Sequence, residues 1–493
     1  MFAYRWLWSQ TAFGDSQEDI SPLCSLRRSI EPWYVAFLLA NLVMGTSSVL
    51  IPLKLDRILD QGPSQLGVLA TLASAGAVFG SLLWGRLSDA AHRRKAFVVL
   101  SFLVVGVAHA GLAFSSSFAG LILHNTLLSF FWIANASVAV LLVIERKEEG
   151  AWESGISALN LVGAAGWLLG LVLGGLGVSI AFVALSERIG TQALLLALSA
   201  LGFVSAGLAV WLIPTTIPRF TQRKFRGVVV AVGNLLVEAW KFSPLHLYHR
   251  FSFRRLAGLR RETRLFLLAS ALAFAGIGFF AVPLALLLSQ RLGYSPALVF
   301  YGYVMLHGGI VIAYPFALHR IKKRGNRRVQ IGALSVRMLL LAIGAAVLWR
   351  VPDLPWPAAA LFLFLVGLTW SFFQLSGVAL ASRLAKPENR GLALGTYNAI
   401  AGGSTMLAGV SSGYLAQLVG HHMTLIAAAA LLLCAIIVLS RLPDPAHVNV
   451  RNDLATRSPQ PGSLPHAPGP EKTGGEHESE RADDQGSHIG GTG

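Results

Sequence analysis

Twelve long apolar stretches organise the chain, at about residues 33–52, 65–84, 96–115, 118–143, 155–183, 191–213, 264–288, 296–318, 329–349, 357–382, 391–418 and 423–440. Each approaches the ~20 residues that a helix needs to cross ~30 Å of hydrocarbon. Within hydrocarbon every backbone amide must find its partner inside the element, which leaves helices or closed barrels. The stretches are continuous rather than alternating, so they select helices. The expected fold class is therefore all-α, a polytopic membrane protein with twelve transmembrane helices. Charged residues make up 13% of the 493, against about 25% in soluble domains, which excludes a soluble globular fold. The stretch 228–240, confined between Arg226 and Lys241, is too short to span and reads as an interfacial helix.

Charge placement sets the orientation. The net charge is +16, which in a soluble protein would point to nucleic acid. Here the basic residues gather in alternate loops. With both termini cytoplasmic, only Lys54, Arg57, Arg188, Arg291 and Arg350 fall outside, and Arg337 lies within a span. That asymmetry follows the positive-inside rule. The expected partners are anionic membrane lipids rather than nucleic acid, and the expected location is the plasma membrane. Cys24 and Cys434 offer no disulfide framework and no metal-ligand spacing, and no cofactor is expected.

The chain divides into an N-terminal segment 1–32, six spans in 33–213, a basic linker 214–263, six spans in 264–441, and a Pro-, Gly- and Ser-rich tail from 442 read as disordered. The halves echo each other. Ile51, Pro52 and Leu53 before Gly62 have a counterpart in Val282, Pro283 and Leu284 before Gly293. Ser129, Phe130 and Phe131 recur as Ser371, Phe372 and Phe373, and Gly155 and Gly166 recur as Gly391 and Gly402. Repeats on this scale imply two pseudo-symmetric six-helix bundles that rock about a site between them.

Between the second and third spans lies a short turn holding Gly85, Leu87, Asp89, Arg93, Arg94 and Lys95. With the twelve spans and the repeat, this turn resembles the major facilitator superfamily, over roughly residues 30–441. The family pattern is G-x-L-x-D followed by a basic cluster. Its usual Gly before the basic pair is replaced by Ala91 or His92 here. The resemblance implies a conformational latch at Gly85, Asp89, Arg93 and Arg94, in a functional monomer working by rocker-switch alternating access. The fifth span carries Gly166, Gly170, Gly174 and Gly175, which resemble the family's antiporter signature with Leu171 in place of its Pro. Glycines at this spacing also serve close helix packing, and both readings stay open.

The resemblance puts helices 1, 4, 7 and 10 around a central cavity. That makes Asn41, His124, Trp132, Asn135, Trp370 and Gln374 cavity candidates, joined by the amides Asn160 and Asn398. The spans contain no Asp or Glu, so a proton relay would fall to His109, His124 or His307, or to Asp56 and Glu145 near the edges. Arg337 is read as snorkelling from the bundle periphery. A cavity that is aromatic and sparsely polar suits export of an amphipathic small molecule, with room for a coupling ion. Uptake or facilitated diffusion of a neutral polar solute such as a sugar is the alternative. A membrane enzyme would need a convergent catalytic cluster, and the spans contain none.

Overall fold

A computed structural model describes residues 30–91, 94–146, 152–214, 261–351, 353–384 and 390–442. The N-terminal segment, the linker with its 228–240 stretch and the tail lie outside the described residues. The helices are α1 (Tyr34–Arg57), α2 (Pro63–Ala91), α3 (Arg94–Phe114), α4 (Phe118–Arg146), α5 (Trp152–Ala184), α6 (Glu187–Leu212), α7 (Arg261–Ala281), α8 (Pro296–Arg324), α9 (Asn326–Arg350), α10 (Trp356–Leu384), α11 (Arg390–Val419) and α12 (His421–Ser440). Past a break at Pro283, α7 continues as Leu284–Leu286 and a π-helical turn, Leu287–Arg291.

Local chemistry accounts for the joints. Ser186 and Ser295 cap α6 and α8 by accepting from Ile189 and Leu298, each at 3.4 Å, and Pro296 occupies the first turn of α8, where its missing N–H costs nothing. A single glycine reverses the chain between α8 and α9: Gly325 has φ 79°, a conformation that a Cβ would strain.

Helix pairing follows the repeat. In the first bundle α1 packs on α5 and α6, α2 on α4, and α3 on α4 and α6. In the second α7 packs on α11 and α12, α8 on α10, and α9 on α10 and α12. The bundles meet along α2 against α11 and, symmetrically, α5 against α8.

Eleven of these helices are long and apolar enough to cross a membrane, by length and composition among the described residues. The exception is α11. It spends its length on small and hydroxyl side chains such as Gly402, Gly403, Ser404 and Ser412, which suits a helix packed between bundles. The outward surface is apolar, with Val183 90%, Leu418 78% and Trp211 80% exposed, the inverse of a soluble protein. Trp211 and Trp349 stand at the C-terminal ends of α6 and α9, which run in opposite directions, as anchors at the two membrane interfaces would.

Two helix ends depart from the apolar pattern. α1 was expected to stop at Pro52, yet it carries Pro52 inside and runs to Arg57. Lys54 is then buried, its ammonium bonded to the carbonyls of Leu112 and Ala113 at the end of α3. These cation-to-helix-terminus bonds replace water for the charge. α7 does the reverse, and its corresponding proline interrupts it.

Candidate functional site

The seam between the bundles is densest on the face opposite the basic loops. There Gly67 of α2 lies against Gly409 and Gly413 of α11, so that a Cβ on Gly413 would stand 2.9 Å from the Cα of Gly67. Thr71 donates to the carbonyl of Met406 at 2.8 Å, and Ser64 N–H to Gln417 at 3.2 Å. At α5 and α8, Gly174 and Gly175 face Phe300 and Tyr301. One apolar core runs from the ends of α1, α3 and α6 on this face into the second bundle, whereas the basic half of the first bundle holds its own cluster around Tyr34, Phe37 and Phe102.

Further in, α1, α5 and α8 line a half-open cavity of about 210 Å³ with Asn41, Gly163, Ala164, Trp167, Leu168, His307, Ile310 and Val311. Three contacts shape it. Asn41 donates to the carbonyl of Phe37 at 2.8 Å, which engages its amide nitrogen and leaves Oδ1 as the acceptor. Gly163 makes room for that amide, since a Cβ would sit 3.3 Å from Nδ2. His307 Nδ1 lies 2.9 Å from the carbonyl of Tyr303. A carbonyl only accepts, so Nδ1 carries the proton and Nε2 of the neutral ring is an acceptor. The imidazole stacks with Trp167 at 6.2 Å and with Tyr303 at 6.4 Å. Among the described residues the lining holds no Asp, Glu, Lys or Arg. A second cavity, about 180 Å³ among Phe280, Leu348, Phe362 and other apolar groups, has nothing to orient a solute.

The residues expected at the cavity scatter. Asn41 lines it. His124 sits near the α3–α4 turn, its Nδ1 near the Gly120 carbonyl (2.8 Å) and Ser115 Oγ (3.1 Å), with the ring against Gly111. Trp132 packs on the core of the first bundle. Asn135 is buried with its Oδ1 unpartnered among the described residues. Asn160 and Asn398 are exposed. Gln374 is partly buried, its Oε1 likewise without a partner. His109 is fully buried, with Nδ1 2.7 Å from the Val105 carbonyl.

Arg337 does not snorkel. It is 3% exposed, donates to Thr369 Oγ1 at 2.7 Å and to the Val366 carbonyl at 2.8 Å, and lies 5.8 Å over Trp370. A hydroxyl, a carbonyl and an indole face hold it inside the second bundle, in place of a carboxylate.

Of the latch residues, Gly85 and Asp89 lie in the last turns of α2 and Arg94 opens α3, half-buried. Arg93 lies outside the described residues. On α5, Gly166 and Gly170 rest against the Leu38 and Leu42 carbonyls of α1, and Thr46 donates to the Gly170 carbonyl at 2.7 Å.

Trp167 was missed because an indole among leucines reads as lipid-facing, and His307 drew notice only as a titratable group. Their signal was positional: in the repeat α5 and α8 are the counterparts of α11 and α2, the other pair at the seam.

The sequence matches the family model of the major facilitator superfamily at residues 33–373 and 333–468. The chain belongs to that superfamily. Solved structures agree in fold. It is similar to the nucleoside transporter NupG (TM-score 0.65, 14% identity, 85% of this chain and 98% of that one). It is also similar to a bacterial homologue of the human lysosomal transporter Spinster in an inward-facing, occupied conformation (0.64, 11%, 87% and 98%). A D-xylose–proton symporter is a third (0.60, 15%, 86% and 99%). No curated protein matches the sequence. This major facilitator protein is a multi-pass membrane transporter of solutes and not an enzyme.

Proposed function

We propose that this transporter exports a small amphipathic organic molecule by rocker-switch alternation of its two bundles about the α1–α5–α8 cavity. The observation that carries the reading is the lining: indole, imidazole and aliphatic walls, one amide and, among the described residues, no charged group. A dianion would call for a guanidinium or ammonium there, and a densely hydroxylated solute for more than Asn41 and His307. The tight seam on one face supports a conformer closed on that side, and the basic asymmetry supports both termini in the cytoplasm of a plasma-membrane protein. The protein works as a monomer, with Asp89, Arg93 and Arg94 latching the basic face in the opposite conformer.

The test is thermal unfolding of the purified protein against lipophilic cations, neutral drug-like amphipaths, sugars and small organic acids, because a ligand of the native state raises its melting temperature. Stabilisation by amphipaths that is lost in Asn41→Leu and His307→Phe supports the reading. Stabilisation by sugars alone replaces it with uptake of a neutral polar solute, the reading favoured by the exposed amides Asn160 and Asn398.

A further inference from the structure

At the face opposite the basic loops, one carboxylate of the first bundle is held by two side chains of the second. Asp56, in the last turn of α1, is 9% exposed. Its Oδ2 accepts from Ser289 Oγ at 2.6 Å and its Oδ1 from Gln290 Nε2 at 2.6 Å. A carboxylate this far from water needs such donors, and hydrogen bonds to a charged group are the strong ones.

The backbone is shaped for this contact. Consecutive side chains on an α-helix diverge by about 100°, so neighbours rarely serve one group. Here the break at Pro283 is followed by Leu284–Leu286, which packs on α1. The π-helical turn Leu287–Arg291 then presents Ser289 and Gln290 together. Turns of this kind are rare and gather at functional places. The turn is tied to its own bundle, since Arg291 donates to the Leu348 carbonyl of α9 at 2.8 Å and Tyr294 to the Leu354 carbonyl at 2.7 Å. On the other side, Arg57 lies 3.7 Å from Asp56 and 3.8 Å from Glu187 of α6, all within the first bundle. Lys54 is spent on α3 carbonyls. Acceptor and donors therefore belong to different bodies, and the contact cannot survive their separation.

We propose that Asp56, Ser289 and Gln290 form the latch that holds the two bundles together on this face and is released each time it opens. Opening exchanges two buried charge-assisted hydrogen bonds for water, so the contact contributes to one conformer and not to the other, as a shift of population requires. It stands opposite the latch placed at Asp89, and it operates whatever the solute is.

The test measures opening directly, without solute. Spin labels at Ser116 and Asp353, exposed positions on the same face of the two bundles, report their separation by pulsed dipolar spectroscopy. The background has Cys24 and Cys434 replaced by Ser. Asp56→Ala is expected to raise the ratio of long to short separations about tenfold or more. The double variant Ser289→Ala, Gln290→Leu is expected to do the same with the carboxylate in place, and it decides the matter if Asp56→Ala does not fold. An unchanged distance distribution in the double variant overturns the latch, and so does one in a folded Asp56→Ala protein.

Discussion

At Arg337 a guanidinium stands in the interior with no carboxylate beside it among the described residues, and its two hydrogen bonds and the Trp370 face all depend on its planar fork. An ammonium has no such fork and is more strongly hydrated. Arg337→Lys is therefore expected to lower stability by about 1–3 kcal/mol. Arg337→Met, which removes the buried charge altogether, should cost less. Thermal unfolding of the two variants side by side checks the order, and a more stable Lys variant would contradict the burial argument. In the cavity, His307→Phe keeps the stack on Trp167 and deletes the acceptor. It should weaken solute binding on the order of tenfold, the loss of about one good hydrogen bond, while leaving the melting temperature of the free protein within a few degrees. Asn41 could be read from the sequence as a polar group on the first span. His307 could not be placed, because the same imidazole pattern also fits His109, which is buried in the first bundle with its Nδ1 near its own helix's carbonyl.

Among elements, the α1–α5 contact depends on missing side chains. A Cβ at Gly170 would collide with the Leu42 carbonyl group, its carbonyl carbon lying 2.9 Å away. Neither backbone can yield without moving a whole helix, so Gly170→Ala should destabilise by about 1–3 kcal/mol. Gly207 on α6 has nothing within 4 Å of the same construction. Gly207→Ala should be neutral or slightly stabilising through helix propensity, which makes it the matched control in one melting experiment. The glycine spacing on α5 was visible in the sequence, and it fitted both antiport and close packing. Geometry separates its members: Gly166 and Gly170 face α1 in the same bundle, Gly174 lies between Thr46 of α1 and Phe300 of α8, and Gly175 faces α8 across the seam. At the α2–α11 contact Gly409 and Gly413 repeat the i, i+4 spacing of α5, but that they face Gly67 is decided only when two distant helices cross.

For the whole molecule, alternation requires that each face close in turn. Gly67→Val should hold the opposite face open, because a branched side chain there meets the Gly409 carbonyl and the Gly413 backbone of α11. Flux in proteoliposomes is expected to fall on the order of tenfold or more while solute binding persists, since only the closing step is blocked. Loss of binding together with flux would mean that the seam is part of the solute site. Asp89→Asn is expected to reduce flux from the basic face, and unchanged flux would remove Asp89 from the latch.

Twelve spans, their two-fold repeat and the superfamily were legible in the order of residues alone, because a bilayer imposes length and apolar character on every helix that crosses it. The inner polar groups obey no such rule. Whether Asp56 and Lys54 sat in water or in the protein interior depended on α1 continuing through Pro52, and whether Arg337 faced lipid or protein depended on where α10 packed. The cavity of Asn41, Trp167 and His307 and the contact of Asp56 with Ser289 and Gln290 each join residues more than a hundred positions apart. Hydropathy specifies that helices form and how long they are. Which of their faces meet is set by shape and by the pairing of buried polar groups, and that exists only once the bundles are assembled.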